Sequence, residues 1–239
     1  MATSGTTSFD LNIDDIIEEA FERTTLRGLR TGYQLKSARR SLNILFSEWG
    51  TRGVPLWKVK SASIPLVQGQ AEYNYANDNT NFPQDINDVL EAYVRNNTTP
   101  TAPVDTTLTK IDRSDYSALP NKLSQGTPSQ YYVQRTVAPS VFLYQTPGSS
   151  FSGASYQLKF YYIARIEDAG SYTNTADIAY RFIPCMTAGL AYYLSMKYSP
   201  ELIQPLKLVY EDELQRALQE DGQRTSLYIS PQTFYGDGV

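Results

Sequence analysis

The chain has 239 residues, 21 basic and 25 acidic side chains, a net charge of −4, and 41% apolar against 19% charged residues. That length is enough to bury a sizeable core, and charge spread without long runs excludes a disordered chain and argues against a protein whose main task is gripping DNA. No histidine and a single cysteine, Cys185, exclude a His-containing triad, an intrachain disulfide and a cysteine cluster for zinc or iron–sulfur chemistry.

Met1 to Ser8 is small and polar, unlike a signal peptide, and no stretch reaches the roughly 18 uncharged apolar residues of a membrane span, so a protein maturing in a cytoplasm is expected. Asp10 and Asn12 are candidate N-caps for a helix running to about Arg27. Ile13, Ile16, Ile17, Ala20 and Phe21 recur at helical spacing, with Asp14, Asp15, Glu18 and Glu19 early, where the helix dipole favours negative charge. Gly28 and Gly32 break the chain before a second helix from about Tyr33 to Gly50. Leu35, Ala38, Leu42, Leu45, Phe46 and Trp49 form its apolar stripe, and Gly53 and Pro55 close it.

From Leu56 to about Ile166 the pattern turns strand-like. Leu56 to Lys60 alternates and Ser63 to Val67 continues it; Gln68-Gly69-Gln70 then reads as the turn of a hairpin into Ala71 to Tyr75. Further strands are expected at Asp88–Arg95, Thr106–Asp112, Gln130–Gln134, Val141–Gln145 and Tyr156–Ile166, separated by polar loops. The last third is helical again, from about Ala179 to Tyr198 and from about Ser199 to Asp221. Pro184 marks where the first of these becomes regular, and Ala188, Gly189, Ala191, Leu194 and Met196 lie along it. Leu206, Val209, Tyr210, Leu214, Ala217 and Leu218 make the stripe of the second, which Gly222 stops.

Helices at both ends each need a partner for an apolar face, and bringing them together leaves the strands as an insertion. The expected fold is therefore α+β: a helical bundle formed by N- and C-terminal helices, an inserted antiparallel β domain and an extended C-terminal tail. The corresponding boundaries are 1–55, 56–170, 171–222 and 223–239.

No nucleotide-binding glycine motif is present. The acidic pairs Asp14/Asp15, Glu18/Glu19 and Asp212/Glu213 read as solvated or dipole-matching helix groups, and Cys185 has no histidine to activate it. No enzyme, cofactor or metal site is expected. Two segments remain as candidate interfaces. One is the basic run from Arg23 to Arg52, with Arg27, Arg30, Lys36, Arg39 and Arg40 able to neutralise phosphates if they share a face, or else to form a solvated face or interfacial ion pairs. The other is the tail, where Leu227, Tyr228, Ile229, Phe234 and Tyr235 would anchor an arm on a partner or drape over the domain. Nineteen tyrosines also suit protein–protein contact.

The stretch Asp10 to Arg23, then Ala38-Arg39-Arg40-Ser41-Leu42 to Trp49, then Arg52-Gly53-Val54-Pro55-Leu56-Trp57, resembles the opening of short-tailed bacteriophage head-to-tail adaptors, the tail tubular protein A family. Gly126-x-Pro128-x-x-Tyr131-Tyr132 and Gly189-Leu190-Ala191 extend the resemblance over most of the chain in element order. The resemblance implies a non-enzymatic virion protein of the neck, assembled in the host cytoplasm. It implies a homo-oligomeric ring, typically of twelve copies, between the portal protein and the tail nozzle or tail fibre proteins, with genome DNA passing through unbound. The alternatives are another neck or tail subunit, such as a nozzle or completion protein, or a nucleic-acid-binding module using Arg23 to Arg52.

Overall fold

A computed structural model describes Gly5 and residues 11–24, 31–52 and 58–221. The chain is mixed α+β. Helix α1 spans Ile13–Glu22 and α2 Gly32–Thr51. Their starts follow from local chemistry: at Asn12 the backbone N–H donates to Asp15 Oδ2 at 3.2 Å. At Thr31 the backbone N–H donates to Gln34 Oε1 at 2.8 Å while Gln34 N–H donates back to the Thr31 hydroxyl at 3.3 Å, a reciprocal capping box. Gly32 is thus the first helical residue rather than a break. Two further amides at the start of α1 are satisfied from far along the chain, Ile13 N–H by Asn174 O at 2.9 Å and Asp14 N–H by Tyr172 O at 3.1 Å.

The strands are β1 Val59–Leu66, β2 Glu72–Asn74, β3 Ile86–Asn96, β4 Val104–Ile111, β5 Gln125–Gly126, β6 Gln130–Gln134, β7 Ser140–Tyr144, β8 Thr146–Pro147 and β9 Gly153–Ala164, with a short helix α3 at Arg113–Ala118 between β4 and β5. Seven of them form one curled sheet in the order β1-β9-β3-β4-β6-β7-β2, and β5 with β8 makes a small second one. Helices α4, Ile183–Tyr198, and α5, Ile203–Asp221, each follow a short 3-10 turn.

Two expectations about the sheet are corrected. It is not wholly antiparallel, because β4 pairs with β6 in parallel, Thr109 opposite Gln130 to Ile111 opposite Tyr132, and β5 with β8 likewise. A parallel pair needs a crossover of a dozen or more residues, and residues 112–129, with α3 among them, supply it. Nor do β1 and β2 form a hairpin. The turn at Gln68-Gly69-Gln70 is real, with Gly69 at φ 72°, but β1 pairs only with β9, and β2 pairs only with β7. The turn joins the two ends of the strand order, and Tyr73 on β2 accepts from Val67 N–H at 3.1 Å. First and last strands are thus held within one short loop by the curl.

Buried side chains fall into two clusters. The first gathers Ile13, Ile16, Ile17, Ala20 and Phe21 of α1; Ala38, Leu42, Leu45, Phe46 and Trp49 of α2; Cys185, Met186, Ala188, Leu190, Ala191 and Leu194 of α4; and Tyr210, Leu214 and Ala217 of α5. Helices from before and after the sheet therefore share one core. Val209 and Leu218, expected on the apolar stripe of α5, are exposed, as is Met196 of α4. The second cluster is the concave side of the sheet, including Ile64, Val89, Val94, Tyr131, Val133, Val141, Leu143, Leu158 and Phe160. Strand alternation sends Tyr132 and Phe142, the neighbours of those residues, to the other face.

Candidate interaction surfaces

Among the described residues the basic run does not form one face. Arg23 Nη2 pairs with Glu19 at 2.9 Å one turn back. Arg39 turns toward the segment after β9, donating from Nη1 to Gly170 O at 2.9 Å with its guanidinium 5.2 Å from the Tyr172 ring centre. Arg52 bridges Glu48, at 2.6 Å, and Glu211, which it meets with two parallel contacts of 3.0 and 3.1 Å. These contacts hold Glu211 below the usual carboxylate range, the Arg52 hydrogen bond being the largest cause. Lys36 and Arg40 stay exposed. Arg27 and Arg30 lie outside the described residues, as do Leu227, Tyr228, Ile229, Phe234 and Tyr235 of the tail.

Beside Arg40 stands a cation that the sequence reading passed over. Lys197 of α4 donates from Nζ to the hydroxyls of Ser41 at 2.6 Å and Ser37 at 3.1 Å, joining α4 to α2 through two serines on an otherwise apolar stripe. Its amine is pushed below the ordinary value, first by desolvation and then by Arg40.

A second network ties α2 to both late helices. Trp49 Nε1–H donates to Tyr210 Oη at 3.0 Å, Tyr210 Oη–H donates to Glu48 Oε2 at 3.3 Å, and Tyr193 Oη–H donates to the same oxygen at 3.0 Å. Gly189 lets these helices approach: a Cβ there would meet Tyr210 Cε2 at 2.9 Å and both Leu45 methyls at 3.0 Å. In the small sheet Gly126 is similarly confined, a Cβ there falling 2.9 Å from Gln145 Cδ.

Most of the candidate acids have structural partners, and the thiol is shut away. Asp15 caps α1, Glu19 pairs with Arg23, and Asp212 and Glu213 face Arg216 at 2.5 and 3.5 Å. The Cys185 thiol is buried and its ionisation pushed up to about 12, burial being the main cause, so it is a core side chain and a poor nucleophile.

The surface with the most distinctive chemistry lies on the convex side of the sheet. Tyr116 of α3, Tyr132 of β6 and Phe142 of β7 meet pairwise, with ring centres 5.4, 5.5 and 5.8 Å apart. Lys122 Nζ sits 5.7 Å from the centre of Tyr116 and is held by the carbonyls of Ser117 and Leu119, each at 3.1 Å. A groove of about 410 Å³ runs over these rings, with Arg113 and Arg135 also on its walls. The sequence reading missed this site. The available signal was the outward register of two aromatic residues on adjacent short strands; α3, which brings the third, buries no residue and so shows no stripe.

Among the described residues no helix is long and apolar enough to cross a membrane, and no three acidic or cysteine side chains gather as a metal-ligand set. No protein-family model matches the chain, and a search of curated proteins returns no match.

Proposed function

We propose that this chain is a non-enzymatic structural subunit of a short-tailed phage neck, a head-to-tail adaptor that closes into a ring, with twelve copies the expected number, between portal and nozzle. On this reading the helices from both ends form a bundle that makes ring and portal contacts, with residues 56–170 as an inserted β domain that receives the next tail component. Residues 171–222 complete the bundle, and 223–239 form an arm onto a neighbour. The observation that carries the reading is the single core drawn from both ends of the chain and closed by residues of the family resemblance. Trp49 and Glu48 are fastened to Tyr210 and Tyr193, and Gly189 occupies the point where a methyl group would collide. Such a scaffold offers rigid helix and sheet faces and needs no reacting group, as heterologous ring contacts require.

Quantitative mass spectrometry of purified virions tests this. Copy number equal to that of the portal is expected. Absence from virions refutes the adaptor and brings forward duplex DNA binding through Lys36 and Arg40, which salt titration of binding would then measure.

A further inference from the structure

The groove over Tyr116, Tyr132 and Phe142 is cationic in a chain whose net charge is −4. Its described walls carry Arg113, Lys122 and Arg135 and no carboxylate. Of the acidic groups around it, Glu72, opposite Phe142 in the β2–β7 register, accepts from the Asn74 side-chain amide at 2.9 Å, Asp88 meets Lys110 at 3.0 Å and Arg135 at 3.8 Å, and Asp112 caps α3 by accepting from the Asp115 N–H at 2.8 Å, while Asp115, next to Tyr116 in sequence, is exposed. Arg113 and Arg135 are exposed, and Arg135 reaches Asp88 only through Nη1 at 3.8 Å, so both guanidinium groups present an edge for bidentate contact with carboxylates. Large apolar side chains flank the cations in sequence: Leu123, next to Lys122, is 69% exposed, and Val137, two residues past Arg135 in the β6–β7 loop, is 94% exposed. A surface of aromatic floor, apolar flank and cationic rim matches an anionic partner that also carries apolar side chains. A single-stranded nucleic acid fits less well, because it needs free ring faces for base stacking. Here the rings contact one another, and Lys122 lies over Tyr116.

We propose that this groove is the docking site for an extended acidic segment of a partner polypeptide, its carboxylates on Arg113 and Arg135 and its apolar side chains beside Leu123 and Val137. The proposal rests on the reading of the β region as the receiving surface and names the chemistry of what it receives.

The test is fluorescence anisotropy of the whole chain with two labelled probes, a peptide of repeating Glu-Glu-Tyr and an oligothymidylate of matched charge. The peptide should bind, and Arg113→Ser and Arg135→Ser should each weaken it about threefold to fivefold, the upper part of the range for an exposed ion pair. Lys36→Ser and Arg40→Ser, on α2, should leave it unchanged. Both groove substitutions are at exposed positions, and unaltered thermal unfolding of each variant checks that the fold is intact. No peptide binding, equal binding by the groove variants, equal loss on the α2 substitutions, or tighter binding of the oligothymidylate through the same arginines would each overturn the proposal. Virion copy number is independent of this assay, so a groove that binds no peptide in a protein present at portal stoichiometry removes the docking site alone.

Discussion

Replacing Tyr210 with Phe removes one oxygen from the junction of α2, α4 and α5 while keeping the ring, which stacks on Tyr192 with centres 6.1 Å apart. Two interactions are lost. The Trp49 indole N–H, on a fully buried side chain, loses its acceptor, which costs about 1–3 kcal/mol for an unsatisfied buried donor. Glu48 loses one donor but keeps Tyr193 and Arg52, so that part falls at the lower end of the roughly 1.5–3 kcal/mol range for a bond to a charged group. The sum is about 2.5–4.5 kcal/mol, or a fall in Tm of about 5–18 °C for a chain of this size. Urea unfolding followed by tryptophan fluorescence reads it directly, since Trp49 lies 5.8 Å from Phe182, centre to centre, and loses that environment on unfolding. Tyr193→Phe removes only one donor to Glu48 and should cost about 1.5 kcal/mol. A Tyr210→Phe effect under about 0.5 kcal/mol would mean that the network contributes nothing beyond ring packing, and would refute the account of how the two ends of the chain are fastened.

Gly189→Ala should destabilise by about 1–3 kcal/mol in the same assay, because the Tyr210 ring, pinned through its hydroxyl, has no freedom to move away from a methyl at 2.9 Å. In the Tyr210→Phe background the penalty should shrink, and strict additivity would contradict that explanation. The phenols of Tyr73, Tyr131, Tyr162 and Tyr193 are pushed up to about 12, in each case chiefly by burial. Because the folded state favours their neutral form, the stability they contribute is fully present below the ordinary value of 10 and is lost as pH rises through about 12. Phenolate absorbance against pH should show these four ionising late and together with unfolding; all 19 tyrosines titrating as one group near 10 would refute their burial.

What was legible in the sequence depended on how local its cause was. The apolar stripe of α1 is buried as read, and that of α2 is too except for Leu35, which is only partly buried, since helix burial repeats every three to four residues and each residue reports on its neighbours. Strand β6 has the expected ends, Gln130 and Gln134. Pairing was not legible, because it is a relation between distant segments: Gln68-Gly69-Gln70 specifies a turn but not which strands flank it, and the curl of the sheet decided that. Arg39 failed as an exposed cation for a similar reason, its partners Gly170 and Tyr172 lying far along the chain. The convex groove needed both kinds of information. Its arginines are ordinary surface residues in the sequence, and only the parallel crossover brings α3 beside β6 and β7.

The register of β1 against β9 places Val59 opposite Ile163, so the chain enters and leaves the sheet through two hydrogen-bonded neighbours. At the foot of that pair Lys58 meets Asp177, whose other contact is the Glu167 backbone N–H. The sheet thus stands on a stem whose two ends are side by side, as in insertions that proteins accept without disturbing the host. A segment attached in this way can be lengthened, shortened or traded for another while the helices keep their own core.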